Sequence, residues 1–186
     1  SDGTVTENMN EIHDITNSLF KNLYTHDGKV DPSLIIHLVK MLVNDEINLD
    51  LCKPFADQEI NDALFQIGPL KAPGPDGFPV RFFQRNWGLL KDDIICAVKM
   101  FFISGKMPEG VTETVIVLIP KVKNPQSIKE FRPISLCNVI YKIISKCLVN
   151  RLRPLLDGMI SPTQSAFIPR RSISDNALIA FEVCTL

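Results

Sequence analysis

The stretch from Val115 to Asn150, VIVLIPKVKNPQSIKEFRPISLCNVIYKIISKCLVN, decides how the rest of the chain is read. Val115–Ile119 is a short apolar run stopped by Pro120 and rich in β-branched residues, so it predicts a buried or edge strand rather than a helix. Lys121 and Lys123 follow, then a polar turn at Asn124-Pro125-Gln126-Ser127. The chain resumes with Phe131-Arg132-Pro133-Ile134-Ser135-Leu136, and Asn138 is placed to cap a long helix. That helix carries Ile140, Ile143, Ile144, Cys147 and Leu148 at core spacing, with Lys142, Lys146 and Arg153 on its other face. Strand, basic loop, arginine and basic helix make a layout able to hold a polyphosphate.

Composition bounds the rest. A chain of 186 residues is one domain, or one with an appendage, and 45% hydrophobic content permits a sizeable core. It starts Ser1-Asp2-Gly3 without Met, which is expected of a piece of something longer. No stretch resembles a signal peptide, and no apolar run approaches the roughly 18 residues a membrane span needs, so the expected setting is intracellular, in cytoplasm and nucleus. The five cysteines form no CxxC pair and read as small core residues in a reducing compartment. His13, His26 and His37 show no metal-ligand spacing. Net charge −1 hides a segregation: residues 1–62 hold 4 Lys and Arg against 12 Asp and Glu, whereas residues 119–171 hold 10 against 2. The basic segment points to a polyanionic partner.

In chain order, Met9, Ile12, Ile15, Leu19 and Leu23 predict an amphipathic helix over 7–25, and Pro32 to Val43 a second one. Asn44 to Pro54 reads as an acidic connector, and the domain boundary is placed here. Residues 1–50 then form either the helical tail of an upstream linker region or helices packed on the main core. Asp57 is a fair N-cap for a short helix with Ile60, Ala63, Leu64 and Ile67 inward, ending at Gly68-Pro69. Lys71 to Pro79, KAPGPDGFP, holds three prolines and two glycines and cannot be a regular element. Val80 to Trp87 predicts a helix with Arg81 and Arg85 on its surface. Lys91 to Ser104 predicts another, with Ile94, Ile95, Val98, Phe101 and Phe102 as a core stripe and Gly105 as its end. Pro154 and Asp157-Gly158 close the basic helix. Gln164 to Arg171 is a polar loop ending in paired arginines, and Ser172 or Ser174 caps a last helix.

LIPK, FRPISL and YKIISKCLVNRL, together with KAPGPDGFP, FFISGKMPEGV and QSAFIPRRSISDN, closely resemble the fingers region of reverse transcriptases from non-LTR (LINE-type) retrotransposons, as found in plant genomes. The resemblance covers roughly residues 55 to 186. It implies an α+β fold, the fingers and the edge of the palm of a right-hand polymerase, mostly helical with a few short strands and occupying 51–186. By the same resemblance, Lys121 and Arg132 contact the triphosphate of the incoming dNTP. Lys71, Gln164, Phe167, Arg170 and Arg171 are implied template contacts. The implied partners are an RNA template, a DNA primer, the dNTP, and palm and thumb segments that this stretch lacks.

Nucleotidyl transfer needs carboxylates that bridge two Mg²⁺ ions. The family supplies them from an FxxDxxxAF-like motif and a YADD-like turn, and neither is present. From residue 119 onward the carboxylates are Glu130, Asp157, Asp175 and Glu182, with no matched pair beside a strand. No catalytic residue, metal ligand or cofactor is therefore assigned, Mg²⁺ belonging to the full-length family. The chain stops at Leu186, just short of where the family's first catalytic aspartate falls. Lys142, Lys146, Arg151 and Arg153 read equally as phosphate contacts or solvated charge. Three outcomes remain open: part of a polymerase, a non-catalytic RNA- or DNA-binding remnant, or a truncated stretch without function.

Overall fold

The computed structural model describes residues 6–25, 28, 31, 33, 42–161, 164, 168, 170–172, 174, 177–178 and 181. The chain divides into two compact units, one of residues 1–40 and 119–132, the other of 41–118 and 133–186. In the first unit lies helix α1 (Met9–Tyr24), started by Asn8, whose side chain accepts from the Asn10 amide. Its predicted apolar stripe is exposed at Met9, Ile12, Ile15, Leu19 and Leu23, and Phe20 is its buried residue. The helix expected over Pro32–Val43 falls largely outside the described residues.

The second unit contains a helical core. Helix α2 (Asp45–Cys52) occupies the stretch read as a connector. Asn44 caps it by accepting from the Ile47 amide at 2.8 Å, and Asp45 and Glu46 in its first turn suit the positive end of the helix dipole. Then come α3 (Asp57–Gln66), α4 (Val80–Arg85) and α5 (Trp87–Ser104). Asp57 is not the cap of α3. Ala56 holds that position, and the Glu59 carboxylate reaches back to its amide at 2.9 Å, while Asp57 pairs with Lys99. Gly105, at φ +67°, ends α5 in the left-handed conformation that Gly adopts without steric cost.

Strands β1 (Thr114–Pro120) and β2 (Phe131–Cys137) form a two-stranded sheet. The Lys121 amide donates to the Glu130 carbonyl at 2.7 Å, and Thr114 Oγ1 donates to Cys137 Sγ at 3.6 Å. Residue numbers rise along one strand as they fall along the other, so the pairing is antiparallel, with Val117 opposite Ile134 and Ile119 opposite Arg132. The strand is thus an edge strand: Val115, Val117, Ile119 and Ile134 are exposed.

Helices α6 (Val139–Leu152) and α7 (Leu156–Met159) follow. The chief pairing is α3 on α6, with α5 packed against both. Ile60, Ala63 and Leu64, Ile94 and Val98, and Val139, Ile143, Ile144 and Cys147 join Phe55 and Val80 in one buried cluster. Phe101 and Phe102 pack against it as core, not as a base-stacking platform. Leu148, expected inside, is 43% exposed and lines an open cavity with Phe55, Lys99, Phe102 and Ile103 instead of joining the buried cluster. Cys147 is buried, but Cys52 and Cys96 are exposed, so core burial does not describe all the cysteines. No helix among the described residues is long and apolar enough to cross a membrane.

Candidate nucleic-acid interface

The hairpin end brings the two implied nucleotide-binding residues together. Lys121 follows the last residue of β1 and its amide pairs with the Glu130 carbonyl, while Arg132, the second residue of β2, lies opposite Ile119, so the two cations stand at the same end of the hairpin. Arg132 is exposed, as are Lys123 and Lys129. Lys121 is exposed too, but its Nζ donates to the Lys129 carbonyl at 2.7 Å. The carboxylate within this end, Glu130, accepts from the amides of Gln126 at 2.6 Å and Ser127 at 3.3 Å. It organises the turn and leaves the cations unpaired with it.

The proline- and glycine-rich loop is held by the start of α6. Asn138 stands at the N-cap position, yet its side chain makes no cap bond. Instead Nδ2 donates to the Gly110 carbonyl at 2.9 Å, and Oδ1 accepts from the Asp76 amide at 3.3 Å. Gly74 sits against it so closely that a Cβ there would lie 2.2 Å from Asn138 Oδ1. Lys142, read as a phosphate contact or solvated charge, donates to the Ala72 carbonyl at 2.6 Å. Lys71 is exposed at the head of this loop. Three separate sequence motifs therefore meet at one side chain. Spacing could not show this, because an Asn before a helix reads as its cap.

The arginine pair divides in role. Arg171 donates to the carbonyls of Ser161 at 2.6 Å, Gln164 at 2.9 Å, Asp157 at 3.1 Å and Ile160 at 3.3 Å, and pairs with the Asp157 carboxylate at 2.9 Å. Its guanidinium ties the loop to α7. Arg170, at φ +67°, is exposed, and with Arg153, Arg171 and Asp157 it lines a cavity of about 770 Å³. Gln164 is exposed, and Phe167 lies outside the described residues.

Arg151 is neither a phosphate contact nor solvated. It pairs with Glu59, stacks 3.5 Å over the Phe55 ring and donates to the carbonyls of Leu51, Lys53 and Pro54. The Arg151 hydrogen bonds hold the Glu59 carboxyl below its ordinary pKa, and Glu59 raises that of Arg151. Burial pushes the Cys147 thiol up to about 11.

Among the described residues no three His, Cys, Asp or Glu side chains converge as a metal site. With Asp157 on Arg171 and Glu130 on backbone amides, these residues do not fit a paired Mg²⁺ centre. Asp175 and Glu182 lie outside the described residues.

Residues 119–185 match the reverse transcriptase (RNA-dependent DNA polymerase) family. The chain is 33% identical over 180 residues to an uncharacterized 149 kDa protein of transposon TX1 from Xenopus laevis, covering 96% of this chain and 14% of that protein. It is 28% identical over 123 residues to a retrovirus-related Pol polyprotein of the type-1 retrotransposable element R1 from Bradysia coprophila, covering 63% of this chain and 12% of the polyprotein. A Pol polyprotein of element R2 from Nasonia vitripennis is 26% identical over 127 residues, covering 68% of this chain and 12% of the polyprotein. The chain thus spans about one seventh or less of the length of these relatives. It carries reverse transcriptase domain sequence of the non-LTR retrotransposon type.

Proposed function

We propose that the chain supplies the fingers and the edge of the palm of an RNA-directed DNA polymerase from a LINE-type retrotransposon of the plant kind, working in cytoplasm and nucleus. It grips an RNA template with its DNA primer and the incoming dNTP, and it does not extend a primer by itself. The observation that supports this best is the placement of Lys121 and Arg132 at the same end of the hairpin. A lysine acts on phosphate as a point charge and an arginine forks onto two oxygens, so the two together suit a triphosphate. Lys121 exchanges the Lys129 carbonyl for a phosphate oxygen on binding. Lys71, Gln164, Phe167 and Arg170 contact the template strand, and Arg171 positions the loop that carries Arg170. Residues 1–50 belong to a preceding linker region, and the remaining palm and thumb supply the metal-binding carboxylates.

Binding of a dNTP to the 186-residue chain, followed by calorimetry, tests the assignment. Lys121→Ala and Arg132→Ala should each weaken triphosphate binding by about tenfold, the loss of one charge-assisted contact, and weaken single-stranded RNA binding less. Equal losses on both ligands would overturn the division of roles. Templated dNTP incorporation by the chain alone would overturn its non-catalytic character.

A second reading, a nucleic-acid-binding module without polymerase function, rests on the segregation of 10 basic against 2 acidic residues in 119–171. It expects tight RNA binding with log K falling at a slope of about −0.7 per phosphate neutralised, with no measurable dNTP affinity.

A further inference from the structure

We infer that Asn138 is a positioning residue for the Lys71 loop, fixing where that loop meets a nucleic-acid strand. The inference rests on the reading of the loop as a template contact. An asparagine before a helix ordinarily turns its oxygen onto the helix's own amides. This one, 5% exposed, turns away and bridges two other segments, donating to Gly110 and accepting from Asp76. Gly110, at φ +77°, offers its carbonyl from a turn closed by Val111 N and Pro108 O at 3.2 Å. The loop has its own turn, with the Gly77 amide donating to the Gly74 carbonyl at 3.1 Å and the Phe78 amide to Asp76 Oδ1 at 3.0 Å.

The grip repeats at every second residue. Ala72 is held by Lys142, Gly74 by close packing on Asn138, and Asp76 by Asn138 Oδ1. A loop bound at three alternate points has little freedom left to lose, so the exposed Lys71 just before it is pre-organised for a ligand. Asn138 needs both ends of its amide for this. A residue with only a donor or only an acceptor leaves the Asp76 amide or the Gly110 carbonyl unpaired.

The experiment is a double-mutant cycle on binding of a fluorescent single-stranded RNA oligonucleotide to the 186-residue chain, with thermal melting in parallel. Lys71→Ala should weaken binding about fivefold, the upper range for one phosphate contact. Asn138→Ala should weaken it to a similar extent, and the double variant no more than about twofold beyond either single, because both act through one contact. Lys142→Met, which releases only the Ala72 carbonyl, gives a second cycle should Asn138→Ala fail to fold. A direct phosphate contact by Lys142 would instead multiply with the Lys71 loss. Ile143→Val, a core change, should lower the melting temperature without altering affinity. Multiplying losses in the Asn138 cycle, or in the Lys142 cycle where Asn138→Ala does not fold, overturn the positioning role, as does unaltered affinity in Asn138→Ala. No loss in Lys71→Ala alone overturns the loop's reading as a template contact, and the inference with it.

Discussion

Arg151 grips Glu59 through two parallel contacts, Nε to Oε1 at 2.8 Å and Nη2 to Oε2 at 2.9 Å, across 92 positions of sequence. The same guanidinium holds the Leu51 carbonyl in the last turn of α2 and the Lys53 and Pro54 carbonyls just after it, so one side chain of α6 fastens both α3 and α2. Replacing it by a similarly long apolar residue leaves three carbonyls without this donor and Glu59 with only the Ala56 amide. Arg151→Met should cost about 2–4 kcal/mol in urea unfolding, toward the lower end because Glu59 keeps some access to water.

The pair also makes stability depend on pH. Glu59 has a folded-state pKa below its ordinary value of 4.5. Its contribution is therefore complete above that ordinary value and is lost as pH falls through the lower folded value. Glu59→Gln should flatten the acid limb of the stability profile below about pH 4.5, while leaving its shape near pH 7 unchanged.

The core has a direction that two residues of α6 report. Ile143 is fully buried in the cluster of α3, α5 and α6, while Leu148 on the same helix is exposed. Ile143→Ala should cost about 2–5 kcal/mol and Leu148→Ala well under about 1 kcal/mol, by chemical denaturation.

Cys147, 1% exposed with its pKa raised to about 11, should resist thiol reagents at pH 8. Exposed Cys52 and Cys96 should label in the native state, and Cys147 only once denaturant opens the α3–α6 contact. Mass mapping of labelled peptides checks the order.

The arginine pair should separate in the same way. Arg171→Ala removes the donor for four carbonyls and should lower the melting temperature. Arg170→Ala should leave melting unchanged and make the salt slope of single-stranded RNA binding shallower by about 0.7.

What the sequence made legible follows from the range of each interaction. The strand read at Val115–Ile119, which runs over Thr114–Pro120, the glycine stop of α5, and the inward faces of α3 and of α6 apart from Leu148 are set by local pattern. Helix α2 is hidden because Ile47, Leu49 and Leu51 alternate instead of falling at helical spacing; Asn44, the Asp45-Glu46 pair and the distant Arg151 support it. Arg151, Lys142 and Asn138 look like surface charge and a helix cap in one dimension. Their partners lie 28 to 100 positions away, beyond what periodicity can report. Family motifs point to Lys121 and Arg132, and the strand register then sets them at one end of the hairpin.

The pairing of α3 with α6 also bears on how the chain comes off the ribosome. Ile60, Ala63 and Leu64 are made early, but Ile143, Ile144 and Cys147, which cover them, come about 80 residues later. At roughly 5–20 residues per second, these apolar side chains wait on the order of ten seconds for their cover. During translation they are therefore natural binding sites for chaperones, and a pause between the codons for Gln66 and Val139 would lengthen that wait.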